Sequence, residues 1–96
     1  MRVSIIGSGV SGICAAIRLR SKGFDVAVYE KNKMPGGKLN TFKLDGFRFD
    51  AGPSLFTMPQ LVDELFELNN LNPRDYFTYK KKKIHCKYFW DDKTEF

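Results

Sequence analysis

Gly7, Gly9 and Gly12 stand in the order G-x-G-x-x-G within IIGSGVSGICAA, residues 5–16, and an acid, Glu30, follows 18 residues after the last of them. Glycines at this spacing let a backbone turn tightly and come close to a pyrophosphate, while the helix that opens behind them turns unpaired amides toward an anion. A carboxylate at the end of the next strand accepts hydrogen bonds from ribose hydroxyls. The chemistry within reach of these residues is the holding of a dinucleotide. Gly7 serves the turn off the strand, Gly9 the approach to pyrophosphate, and Gly12 the close packing of helix on strand. Ser8 and Ser11 lie inside the loop and Lys31 follows Glu30, so all three join the candidate cofactor contacts. Lys31 and Lys33 would suit a ribose 2′-phosphate, but Glu30 would repel it, which disfavours NADP. NAD and FAD share the fingerprint, and its spacing does not separate them.

The elements that must position these residues are legible around them. Arg2–Ile6 reads as a strand, Ser11–Lys22 as a helix with Ile13, Ala16, Ile17 and Arg20 at helical spacing, and Asp25–Glu30 as a second strand, with Gly23 ending the helix. This βαβ opening brings its two strands parallel through a right-handed crossover. KNKMPGGK is a loop. Phe42, Leu44, Phe47 and Phe49 alternate around Asp45-Gly46, the two-residue turn favoured between twisted strands, and predict a hairpin. Pro59–Asn69 predicts a helix with Leu61, Val62, Leu65, Phe66 and Leu68 on one apolar face; a turn at Asn72–Asp75 and a strand at Lys83–Trp90 follow. The fold class is α/β, a Rossmann-like βαβ unit followed by a β-hairpin and a helix, and residues 1–96 make one portion of a nucleotide-binding domain.

Composition narrows the function classes. The 96 residues allow one small domain, and 43 % hydrophobic with 15 % aromatic content supports an ordered core. The formal charge of +5 is concentrated in Lys80–Lys83, a run that reads first as a solvated strand end or loop and second as attraction to a membrane surface. No basic stripe interleaved with aromatic residues supports nucleic-acid binding. Cys14 and Cys86 stand far apart with neither zinc-ligand nor redox-pair spacing, consistent with a reduced, cytoplasmic compartment and no metal site. Nothing approaches the roughly 20 apolar residues of a membrane span.

Met34-Pro35-Gly36-Gly37-Lys38 resembles the second glycine motif of the flavin-containing amine oxidase and phytoene desaturase superfamily. GFRFDAGPSLFTMPQLVDELFEL, residues 46–68, resembles the carotenoid desaturase branch more narrowly, as do Arg74–Phe77 and Cys86–Asp91. The resemblance implies FAD as cofactor, with Gly36, Gly37 and Lys38 beside it and with Gly52 and Pro53 as neighbours of the flavin. It implies an FAD-dependent oxidoreductase of carotenoid biosynthesis that introduces conjugated double bonds into a hydrophobic polyene and works peripherally at a membrane surface. A carotenoid isomerase, a saturase, an amine oxidase relative or a non-catalytic nucleotide-binding module are the alternatives. Such enzymes are several hundred residues long with a separate substrate region, so the resemblance makes these residues the N-terminal part of a larger two-domain flavoenzyme, inactive alone. Asp92-Lys93 stands where relatives often carry Asp-Gly, which puts a hairpin turn there in question. No catalytic residue is assigned: His85 reads as surface or packing, and Asp50 as structural.

Overall fold

A computed structural model of the chain describes residues 1–84 and 86–95, and the expectation for His85 falls outside the described residues. In chain order the elements are β1 (Arg2–Ile6), α1 (Val10–Ser21), β2 (Asp25–Tyr29), β3 (Thr41–Leu44), β4 (Phe47–Asp50) and α2 (Pro59–Glu67), with a short 3-10 turn at Pro73–Asp75. β1 and β2 pair in parallel from Arg2 opposite Asp25 to Ile6 opposite Tyr29. The Gly7 amide continues the ladder by donating to the Tyr29 carbonyl at 2.7 Å.

α1 ends where left-handed backbone becomes necessary. Gly23 has φ +89°, its amide donates to Arg20 and the Phe24 amide donates back to Leu19, the paired bonds that satisfy the last carbonyls of a helix. Asp45 and Gly46, at φ +49° and +82°, form the turn between β3 and β4, and Phe42 stacks on Phe49 across the hairpin at 5.2 Å between ring centroids. Pro59 opens α2 at its first turn, and the Asn69 side chain donates to the Leu65 carbonyl at its end.

α2 is joined to α1 by a two-pronged ion pair, Arg18 Nη1 and Nη2 donating to Glu64 Oε1 and Oε2 at 3.0 and 3.1 Å. Leu65, on the same helix, is the buried hydrophobic residue among those described. Arg74 pairs with Asp63 and lies over the Phe77 and Tyr79 rings, while the Tyr79 hydroxyl donates to Asp63 at 2.8 Å. This cluster, with Phe66 against Tyr76 and Phe77, folds residues 73–79 back onto α2.

Lys83–Trp90 does not form the expected strand: among the described residues Phe89 alone of that segment makes a ladder contact, with Glu95. Alternating side chains do not make a strand without a neighbour to accept its backbone bonds, and the four lysines that lead into it repel one another. The turn at Asp91–Lys93 nonetheless closes without glycine, because Lys93 takes φ +67° and its amide donates to the Trp90 carbonyl at 3.0 Å.

The chain exposes 8758 Å², where a compact monomer of its mass exposes about 5,700 Å². Its radius of gyration is 17.8 Å, against about 12.5 Å for a compact domain of this length. All eight residues of β3 and β4 are exposed, whereas Val3, Ile5, Val26 and Ala27 of β1 and β2 are half-buried. Amide exchange should therefore divide the chain. We expect β1, β2 and α1 amides to exchange at least about tenfold more slowly than those of residues 41–50, because protection follows the local density of buried contacts; equal rates throughout would show a uniformly stable or uniformly open chain and contradict this division.

Candidate functional site: a glycine turn, a clamped acid and a second glycine stretch

The site begins at the end of β1, where Gly7 at φ +97° turns the chain into α1. A β-carbon on Gly12 would overlap the Gly7 carbonyl oxygen, so helix and turn can approach this closely only because that side chain is missing. α1 has Gly9 as N-cap, no side chain bonded into its first turn and no acid there. Its leading amides and the positive end of its dipole are therefore free of side-chain partners, the arrangement an anion site at a helix start would require.

The second glycine stretch folds directly onto the first. Gly36 makes a parallel bridge with Gly9, its amide donating to the Ser8 carbonyl at 2.8 Å, and a β-carbon on Gly37 would stand 3.0 Å from the Gly9 Cα. Lys38 follows, and its carbonyl meets Gly52, where a β-carbon would overlap it. The Ala51 amide closes the same junction by donating to the Asn40 carbonyl at 2.8 Å. Backbone contacts thus connect residues 7–12, 36–38 and 52 into one structure. Pro53, Ser11 and Lys31 are exposed around it.

Glu30 is half-buried and binds within the chain. Its Oε2 accepts from the Ser8 amide and the Ser8 hydroxyl, each at 2.8 Å, and its Oε1 accepts from the Asn32 amide at 3.0 Å. The Asn32 amide, then the Ser8 amide and hydroxyl, hold the carboxyl well below the usual range, at about 2, against a smaller opposing effect of partial burial. Ser8 itself is buried. Each carboxylate oxygen offers about two acceptor sites, so Oε2 is filled and Oε1 retains one. Sequence reading placed Ser8 and Glu30 in the site but missed their bond and missed Asn32. No sequence signal marks Asn32, because it bonds through its backbone amide, a donor that every residue but proline carries.

The comparisons with known proteins bear on this geometry. The sequence profile of the family described as "NAD(P)-binding Rossmann-like domain" matches residues 5–68, which contain the glycine turn, Glu30, the second glycine stretch and Gly52. The chain belongs to this family. Over 92 residues, 96 % of its length, the Rossmann-like chain is 55 % identical to the 1-hydroxycarotenoid 3,4-desaturase of Flavobacterium sp. (strain P99-3), covering 19 % of that protein. It is 43 % identical over 89 residues to the 4,4'-diaponeurosporene oxygenase of Staphylococcus haemolyticus (strain JCSC1435), with 93 % of the chain and 18 % of that protein aligned. For the enzyme of the same name in Staphylococcus aureus (strain USA300) the identity is 42 % over 92 residues, with 96 % of the chain and 18 % of that protein aligned. The chain therefore spans less than a fifth of the length of these relatives.

Because the folded carboxyl of Glu30 lies below its ordinary value of 4.5, the joint it makes contributes stability above that pH and loses it as pH falls through about 2. Following the Glu30 side-chain carboxyl by carbon NMR should give a midpoint near about 2. A midpoint at the ordinary value would mean that these donors do not hold it in solution.

Proposed function

We propose that this Rossmann-like chain is the FAD-binding part of a carotenoid desaturase-type oxidoreductase acting on a hydroxylated polyene. The observation that carries the reading is the second glycine stretch lying backbone to backbone on the first, in a chain 55 % identical to a 1-hydroxycarotenoid 3,4-desaturase. The residues present fit a dinucleotide: β-carbons at Gly12 and Gly37 would press on the backbone of Gly7 and Gly9, so the close approach that forms the turn needs glycine there, and α1 presents its first-turn amides uncapped. The α1 amides would hold the pyrophosphate, the open acceptor site on Glu30 the adenosine ribose, and Lys38 would bring a cation toward the phosphates. Gly52 and Pro53, joined to Lys38, would sit on the side of the flavin. When bound, FAD supplies the acceptance of a hydride equivalent from an allylic carbon–carbon single bond. The chain's own share is to bind and orient the cofactor, and no side chain of the described residues is assigned a proton transfer.

Desaturation is favoured over oxygenation because identity is 55 % to the relative named a desaturase and 42–43 % to those named oxygenases. The test is to purify the product of the complete reading frame that carries this chain and identify the cofactor released on denaturation. FAD is expected, with Glu30→Ala weakening its retention by about tenfold or more, the effect of losing a charge-assisted hydrogen bond. Recovery of NAD without flavin would overturn the assignment. Offered a 1-hydroxycarotenoid, the same product should yield a polyene with one more conjugated double bond, visible as a red-shifted absorption; an oxygenated product of unchanged conjugation would favour the oxygenase reading.

A carotenoid is insoluble in water, so the protein should work at a membrane surface; among the described residues no helix is long and apolar enough to cross one. Lys80, Lys81 and Lys82 line a recess with Leu55, Phe56 and Tyr79, joining positive charge to apolar surface. Flotation with anionic vesicles should fall when Lys80–Lys83 are all changed to glutamine, by about 1 kcal/mol per lysine engaged. Equal flotation of both forms would leave the run as a solvated loop.

A further inference from the structure

We infer that Ser8 is a positioning residue that fixes the Glu30 carboxylate as the group selecting an unphosphorylated adenosine ribose, and that it is not itself a phosphate donor. The inference rests on the dinucleotide reading above and assigns the origin of its ribose selectivity. A serine hydroxyl has one hydrogen to give, and that of Ser8 is given to Glu30 Oε2 at 2.8 Å. What remains on the hydroxyl is acceptor capacity, which an anionic phosphate cannot use. The Ser8 amide is committed to the same oxygen at 2.8 Å. Neither donor of Ser8 therefore faces the pyrophosphate, and both serve to hold the acid.

That holding matters because Glu30 competes with two neighbouring cations. Lys31 and Lys33 are exposed on the loop that leaves β2, and either would attract a 2′-phosphate. A glutamate with three free torsions on an exposed edge could swing aside and admit it. Here Oε2 is bound from the loop after β1 and Oε1 from the loop after β2, so the side chain bridges two segments and keeps one acceptor site on Oε1. The groups that hold the carboxyl ionised are the uncharged donors of Ser8 and Asn32 with a contribution from the Lys31 amide, and no charged side chain shares in it. A carboxylate held in place donates nothing, accepts from a ribose hydroxyl and repels a phosphate.

The test compares wild type with Ser8→Ala, Ser8→Gly and the hydroxyl-retaining Ser8→Thr on the full chain, using two measurements. Ser8 does not have a positive φ, so alanine meets no backbone obstacle at that position. Without ligand, carbon NMR of the Glu30 carboxyl should show the midpoint rising by about one pH unit in Ser8→Ala and Ser8→Gly, the loss of one of its donors, and held down in Ser8→Thr. With ligand, NMR titrations with ADP-ribose and 2′-phospho-ADP-ribose should show wild type preferring the former. That preference should shrink by about tenfold in the two variants without a hydroxyl and be kept in Ser8→Thr. An unmoved midpoint, or an unchanged preference in variants that still bind ADP-ribose, would overturn the role of Ser8 alone. If wild type shows the low midpoint but binds neither ADP-ribose nor FAD, the dinucleotide reading fails and takes the inference with it.

Discussion

The structure depends on how closely two stretches of backbone can approach at the end of β1. The Gly7 carbonyl oxygen occupies space that any β-carbon at Gly12 would need, so α1 starts against the strand with no side chain between them. From that contact follow the direction of α1, the crossover that sets β2 parallel to β1, and the orientation of the uncapped first turn. The same kind of contact is then repeated outward, Gly37 against Gly9 and Gly52 against the Lys38 carbonyl. A site built of backbone is suited to a pyrophosphate, which is recognised by amide groups rather than by side chains.

A two-stranded parallel sheet is an unusual object to leave in water. Parallel strands are normally covered on both faces, and here Ile6, Val28 and Tyr29 are exposed while, among the described residues, neither outer edge of the two-stranded sheet gains a further strand. Val10, Ile13, Ile17, Val28, Val62 and Phe66 line an open apolar groove between α1, β2 and α2. Burial of this order of surface contributes about 25 cal/mol per Å² elsewhere, and its exposure here accords with relatives about five times as long. The βαβ unit holds together through its parallel ladder and the cap that ends α1, whereas α2 and the hairpin are attached by few polar contacts: the Arg18–Glu64 ion pair for the one, a backbone junction at Asn40 and Ala51 for the other.

What the sequence disclosed was whatever short-range chemistry decides. Gly23 had to end α1, Asp45-Gly46 had to turn the hairpin, and Pro59 had to open α2, because each is a choice made within a few residues. Helix bounds moved by a residue or two, α1 starting at Val10 and α2 ending at Glu67, as frayed ends do. Lys83–Trp90 was misread because strand patterning says nothing about whether a partner exists. The glycine loop and Glu30 were legible as parts, but the bond that joins them spans 22 residues and depends on β1 and β2 lying in register, which no local pattern records.

That register is also what the proposed selectivity would depend on. Ile6 lies opposite Tyr29, so the residue two beyond Ile6 and the residue just past Tyr29 leave the sheet side by side. Ser8 and Glu30 are those residues. A shift of the pairing by one would turn Glu30 to the other face and leave the Ser8 amide without an acceptor. The glycine turn sets where α1 begins, the strand register sets which side chain meets the turn, and their conjunction places one ionised carboxylate beside the amides that would bind phosphate. An acid so near the start of α1 would oppose an anion there if it stood free; with Oε2 filled by Ser8 and Oε1 turned to Asn32, its charge is partly satisfied by the chain, and in the proposed site its remaining acceptor capacity would serve a ribose hydroxyl.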